Sequence, residues 1–384
     1  MKINLKGEFK TIMSNSESKF NYFAWPSVAK LQNGKIAVVA SGYRMGHICP
    51  FGKCVMALSD DSGKSYTGAF PIIDTYLDDR DAGICTFGEN GVIVSSFNNT
   101  RAQQKNWNPV SDELNDFYFK RNTFYHAYLD TVTDEDETNY WGSTFRMSFD
   151  GGKTFGKIFK SPVTSPHGPM TLKDGRILWI GKTHDDNNDS GHYDIENDRV
   201  KAYEIKLDGS MEYIGTIPPV YKNGEFRCSC EPHTIELPDG TLICHIRMER
   251  GEFSVYQSIS KDGGKTWSEP KQLLEDFGGS PPHLLLHSSG TLICTYGFRN
   301  KPFGVKVMFS KDMGETWDTD EYFIYNNGGN SSDLGYPASI ELPDGDILTV
   351  FYAKDMVYEA FKGGEDYQVS GPAVIKQQIW NFEE

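Results

Sequence analysis

An all-β fold built as a six-bladed propeller is predicted by three features of the sequence: a turn motif that recurs four times, a hairpin that recurs six times, and a composition weighted toward glycine and aromatic residues. Length alone points elsewhere, because 384 residues at roughly 150 per domain suggest two or three domains. A repeat removes that inference and makes residues 1–384 one closed domain.

The turn motif has the form Ser-x-Asp-x-Gly-x-Thr/Ser-aromatic. It occurs at Ser59 to Tyr66, Ser148 to Phe155, Ser260 to Trp267 and Ser310 to Trp317. Its residues are those of a tight turn: the Asp carboxylate accepts backbone N–H bonds, Gly takes the positive-φ position, and the aromatic ring fills the space between sheets. A calcium loop would need more oxygen ligands than one Asp and one Ser supply.

The hairpin pairs a short apolar strand with a strand rich in Ile, Leu and Val across a turn ending in Gly34, Gly91, Gly175, Gly240, Gly290 or Gly345. Each hairpin supplies the first two strands of a unit, and the polar-aromatic turn joins the third to the fourth. The third unit carries a degenerate turn near Leu207-Asp208-Gly209, and the sixth closes with AVIKQQIWNF and help from the N-terminus. The longest interval between turn glycines holds an insertion, about 98–140, within the second blade. Six radial sheets leave no unprotected edge.

Abundant aromatics, 24 Phe, 20 Tyr and 7 Trp, exclude a disordered chain. A formal charge of −15 argues against a nucleic-acid partner, so an anionic ligand would have to be held by locally placed Arg. Seven cysteines without a regular framework read as free thiols of a reducing compartment. No signal peptide and no 18-residue apolar run are visible, and the expectation is a cytoplasmic protein with no membrane contact. Oligomeric state is not legible.

Propellers bind ligands where the innermost strands begin. Counting back nine residues from each turn glycine gives Trp25, Ala82, Pro166, Glu231, Pro281 and Tyr336, of which Glu231 and Tyr336 are polar. Loops after the second strands add Arg44, Arg247 and Arg299, with His47 close by; the second unit begins with Asp78-Asp79-Arg80-Asp81, and His167, His233 and His283 lie on the same face. Such a cluster suits a saccharide. The histidines come from separate units without chelating spacing, so neither a metal nor another cofactor is expected.

These residues resemble the sialidase superfamily, whose six-bladed propellers carry the polar-aromatic turns known as Asp boxes. Glu231 followed by PHTIELPDGTLICHIR is similar to the segment bearing the family's catalytic Glu and a substrate-binding Arg, here Arg247. Gly335-Tyr336-Pro337 is similar to the segment bearing the nucleophilic Tyr, and Arg299 matches a second carboxylate-binding Arg. The resemblance implies a retaining exo-glycoside hydrolase acting on an acidic oligosaccharide or glycoconjugate. Sialic acid carries a carboxylate on its reacting carbon, so a neutral phenol activated by Glu is a better nucleophile than a carboxylate.

Two departures stand out. Ala24-Trp25-Pro26 replaces the family's Arg-Ile-Pro, with Arg44 as the nearest substitute, and the acid/base Asp before the first Asp box is missing. His47 or an Asp of the 78–81 run, taken as Asp79, is expected to move the proton, with Arg80, Asp81, His167, His233 and His283 contacting substrate. A uronic acid or modified nonulosonic acid, a glycosidase or lyase acting on rhamnose or uronate glycans through His47, and a non-catalytic glycan-binding propeller remain alternatives.

Overall fold

A computed structural model describes the chain except residues 113, 115, 185–198, 250–252, 276–278, 280, 329, 361–365 and 384. The fold is mostly β and propeller-like, and its repeats follow the order read from sequence. In the first, strands Tyr22–Lys30 and Ile36–Arg44 form the hairpin, Lys53–Ser59 follows, and the polar-aromatic turn leads to Phe70–Ile73. The third repeat keeps its degenerate turn: the Ser210 N–H and hydroxyl both donate to Asp208 Oδ1, at 2.9 and 2.6 Å.

The described strands make five sheets, of eight, five, five, four and four strands. Four of them are separate blade-like units. In place of two further separate sheets, the eight-stranded one joins the last repeat to the first through a single parallel pair, Tyr22 with Ala373. Strand Lys2–Met13 pairs antiparallel with Asp366–Glu383, so the N-terminus does complete the last repeat.

Apolar residues alternate along the strands and meet between neighbouring strand sets. One cluster joins Trp25, Val38 and Val55 to Tyr336, Val350 and Tyr352; another joins Val39, Met56 and Ile73 to Ala82, Ile84 and Val94. Four equivalent clusters fill the remaining interfaces. Each fully buried large side chain contributes about 1.5–3 kcal/mol of hydrophobic stabilisation.

All four polar-aromatic turns share one hydrogen-bond pattern. In the third copy Ser260 Oγ donates to Asp262 Oδ1 at 2.9 Å and accepts from Gly264 N at 2.9 Å, while the N–H and hydroxyl of Thr266 reach the two oxygens of Asp262 at 2.9 and 2.6 Å. These bonds stabilise the carboxylate and lower the pKa of Asp262 to about 2.

The insertion is helical, with segments Arg101–Trp107, Asp116–Leu129 and Asp134–Tyr140. Thr100 with Gln103 and Thr133 with Asp136 form capping boxes that start the first and third. The middle helix packs on the loop after the second strand: Phe51 stacks on Phe124 at 5.1 Å and lies 4.6 Å from the Tyr128 ring. All seven cysteines are buried. Among the described residues no helix is long and apolar enough to cross a membrane.

Candidate active site

Four inner strands begin with the same irregularity. Their pairing slips between Ala24 and Ser27, Arg80 and Gly83, Cys230 and His233, and Gly335 and Ala338. The extra residue in each bulge is Trp25, Asp81, Glu231 or Tyr336, with φ of 54°, 46°, 48° and 50°. Left-handed backbone is unfavourable for such side chains, and strain of this kind concentrates at functional sites. The bulge turns these side chains toward one another. Nine-residue counting pointed to Ala82 in the second unit; the structure corrects this to Asp81, because Gly91 is the last residue of its turn, 87–91, whereas Gly34 and its counterparts stand one place earlier in turns of the same length, such as 31–35.

Tyr336 donates its phenolic hydrogen to Glu231 Oε1, and Arg247 Nη1 holds the other oxygen, Glu231 Oε2. The same Nη1 lies 3.5 Å from the Tyr336 oxygen. Arg299 approaches the Tyr336 ring at 5.8 Å and is itself held by Tyr352 Oη and Leu334 O, both at 3.0 Å. Burial, with Glu231 and Asp81 nearby, raises the Tyr336 pKa well above 10, and Arg247 and Arg299 only partly offset this. The resting group is therefore a neutral phenol hydrogen-bonded to a carboxylate that can take its proton. Burial and the neighbouring Glu231 charge also push Asp81 up to about 7, so its carboxyl is a hydrogen-bond donor below that pH.

His47 sits on the loop beyond the second strand with its side chain 48% exposed. Its Nδ1 lies 3.0 Å from Tyr22 Oη, which donates in turn to Asp333 at 3.0 Å, and 3.6 Å from Asp333 Oδ1 itself. Tyr352 and Lys354 complete the set around Asp333 at 2.8 and 3.2 Å. Partial desolvation, together with the charges of Arg80 and Arg44, lowers the His47 pKa despite Asp333. Trp25 packs edge-on to the imidazole at 5.0 Å and lies 6.4 Å from the Tyr336 ring.

Several expected contacts fall elsewhere. Arg44 is wholly buried and committed: it pairs with Asp78 at 2.5 Å and donates to Ser41 Oγ and His47 O, both at 2.7 Å. It therefore does not replace the missing clamp; it holds the His47 loop down. Asp79 accepts from Thr75 N, Thr75 Oγ1 and Asn98 Nδ2 at 2.7, 2.9 and 3.2 Å, which makes it a brace of its own loop rather than a proton donor at the pocket. Arg80 stacks on Trp25 at 4.2 Å and donates to His47 O at 3.1 Å, so it borders the site.

His167, His233 and His283 lie together beneath the site rather than in it. Their ring centroids are 4.1–5.3 Å apart, and they line a cavity of about 440 Å³ with Ser27, Thr86 and Thr234. Backbone N–H groups of Leu284 and Ser339 donate to Nδ1 of His233 and His283, and burial lowers all three pKa values well below 6.5. A separate cavity of about 170 Å³ opens beside the bulges, lined by Asp81, Phe97, Asn99, Lys182, His184 and Glu231 among others. Among the described residues no group of three His, Cys, Asp or Glu is placed to hold a metal ion.

Lys182, His184, Tyr22, Tyr352 and Asp333 were not anticipated. A signal existed for one of them, since Lys182 follows Gly175 by the interval that separates Arg247 from Gly240. Tyr22 and Asp333 carry no such mark, because their partners come from opposite ends of the chain.

Bulged inner strands that converge a Tyr–Glu pair and two Arg on one face define a sialidase-like β-propeller. The chain belongs to the family of the BNR repeat-like domain, whose pattern matches residues 73–350. It is similar over 99% of its own length and 99% of the other chain to a protein of unknown function from Dyadobacter fermentans, with 19% identity and a TM-score of 0.71. The NanB sialidase of Streptococcus pneumoniae matches 98% of this chain over 71% of its own, at 14% identity and TM-score 0.64. The intramolecular trans-sialidase of Ruminococcus gnavus matches 96% of this chain over 96% of its own, at 14% identity and TM-score 0.57. No curated protein sequence matches the chain.

Proposed function

We propose that the protein is a retaining exo-glycosidase of the sialidase type acting on acidic glycans, on a ring of six blades in which the eight-stranded sheet counts as two. The six interface clusters support that count. The observation that carries the functional reading is the hydrogen bond from Tyr336 to Glu231, at two equivalent strained bulges, with Arg247 on the same carboxylate.

In this reading Tyr336 Oη attacks the anomeric carbon as its proton passes to Glu231 Oε1. His47, exposed and at the mouth, protonates the departing glycosidic oxygen, then deprotonates the water that releases the tyrosyl glycoside. Arg247 and Arg299 hold the sugar's carboxylate, and Asp81, neutral up to about pH 7, donates to a sugar hydroxyl. Because the imidazolium of His47 forms only below its ordinary range, turnover rises on the acid side of neutrality.

The test is sugar release from a panel of α-sialosides and other acidic glycosides, with product anomers followed by NMR. Wild type releases sugar with retention, and Tyr336→Phe loses at least about 10³-fold in kcat. No release from any member of the panel, or an unchanged Tyr336→Phe, rejects the reading.

One observation favours a second reading with a different sugar. Trp25 lies beneath the guanidinium groups of Arg44 and Arg80, at 4.8 and 4.2 Å, directly after Ala24, which stands where the resemblance implies a third carboxylate-binding Arg. A uronate- or rhamnose-containing glycan cleaved with His47 as acid/base fits that change, and an unsaturated product absorbing in the near ultraviolet would identify a lyase.

A further inference from the structure

We propose that the helical insertion forms the binding subsite for the saccharide on the leaving-group side of the scissile bond, with Phe117 and Phe124 as its stacking platforms. The inference rests on the glycosidase reading above and names the part of the substrate which that reading leaves unplaced.

The direction follows from chemistry. An acid/base group protonates the oxygen between the two sugars, so the leaving group extends past it, away from the nucleophile. Here that group is His47, and Trp25 separates its ring from that of Tyr336. Two adjoining cavities of about 340 and 520 Å³ lie beside the loop that carries His47. They share Lys19, Met45, Phe117 and Arg121. The smaller reaches Tyr22, whose hydroxyl lies 3.0 Å from His47 Nδ1. Met45 belongs to the His47 loop, so the cleft borders the loop that carries the acid/base group.

The lining suits a carbohydrate. Phe117 and Phe124 are 46% and 49% exposed on the helix Asp116–Leu129, and Phe124 is backed by Phe51. Sugars present C–H faces to aromatic rings and hydroxyls to polar neighbours, and this cleft offers both: two rings, with Lys19 and Arg121 at its edge. Arg121 is fixed by stacking on Tyr118 at 4.8 Å and by Asn122 Oδ1 at 3.0 Å. An added Cβ on Gly46 would lie 2.9 Å from its guanidinium, so the insertion closes directly on the His47 loop.

The experiment compares one sugar on two leaving groups, a methylumbelliferyl glycoside too small to cross the cleft and the same sugar linked to an oligosaccharide. The readout is the ratio of kcat/KM for oligosaccharide over aryl glycoside. Phe117→Ala and Phe124→Ala each lower this ratio by about fivefold to tenfold, the range of one aromatic contact, and the effect falls mainly on KM. Both rings are half exposed, so folding is checked by unchanged melting temperatures. Phe117→Tyr, which keeps the platform, restores the ratio if Phe117 itself acts by stacking. A ratio unchanged in both alanine variants overturns the proposal, as does an equal loss on both substrates. If wild type cleaves neither substrate, the glycosidase reading has failed and the subsite with it, an outcome visible before any cleft variant is made.

Discussion

Replacing Asp81 by Asn is expected to make the protein more stable and less functional, by an amount that depends on pH. Asp81 is 5% exposed, its Oδ1 has no hydrogen-bond partner, and Glu231 adds a like charge. Its pKa is pushed from 3.8 to about 7. Unfolded, the same carboxyl ionises near 3.9. Ionising it in the folded state therefore costs about 4 kcal/mol once the pH exceeds 7, at 1.36 kcal/mol per pKa unit. Asn removes that cost and tolerates the left-handed backbone at φ 46°. The advantage of the variant is thus near zero at pH 4, grows by about 1.4 kcal/mol per pH unit, and levels off above pH 7. Urea titrations of both proteins at pH 4, 5, 6, 7 and 8 measure it directly. A difference that does not change with pH, or an Asn variant less stable at pH 8, would refute the placement of this charge. The gain should come with weaker turnover or glycan binding, since the strain and burial at this bulge serve the site.

Three further outcomes follow from the same structure. His167, His233, His283 and His245 are buried and neutral when folded, with His245 lowered to about 4, so the unfolded state takes up more protons below its pKa of about 6.5. Stability is retained above that pH and falls below it; Asp79 and Asp81, both raised to about 7, act in the opposite sense, leaving a net slope on the order of 3 kcal/mol per pH unit. Stability measured by urea that stays flat from pH 6.5 to 4.5 would contradict this. Arg44→Met strands the buried Asp78 carboxylate and should cost about 3–5 kcal/mol, read from the urea midpoint, whereas a loss under 1 kcal/mol would mean that the pair is not closed to water. Gly83→Ala places a methyl group 2.4 Å from the backbone nitrogen of Gly168; the strand Arg80–Phe87 and the turn that carries Gly168 must separate, at about 1–3 kcal/mol, and an unchanged melting temperature would show that they are not in contact.

The fold was legible because its determinants are local and repeated. Ser260, Asp262, Gly264 and Thr266 make a turn with no help from distant residues, and the same letters recur where the same bonds form. The Tyr336–Glu231 pair was legible for the same reason, since both stand at equivalent places in the repeat. Asp81 was displaced by one position because Gly91 stands one place later in its turn than the other turn glycines, which shifts a count but not a bulge. The engagement of Arg44 and Asp79 was hidden, because a sequence lists charges without saying which meet Asp78 or Asn98 first. The site histidines were placed on the correct strands but in the wrong layer: His233 and His283 stand two residues past the bulge position, which puts them lower in the channel. Helices in the insertion carried no repeat to announce them, and Thr100 and Thr133 as caps are recognisable only once the helices are known.

The parallel pair between Tyr22 and Ala373 and the long ladder between Lys2–Met13 and Asp366–Glu383 set a schedule for the chain as it is made. A ribosome releases the first repeat long before the strand that must lie beside it exists, so Tyr22 and Trp25 wait for their partners on the last repeat through most of synthesis. Ring closure is a late event with the largest sequence separation in the molecule, the kind of contact that slows folding. Tyr336 and Trp25 are neighbours only after that closure, as are His47 and Asp333. A chain caught before closure has blades but no pocket, so the proposed chemistry is confined to molecules that have finished folding.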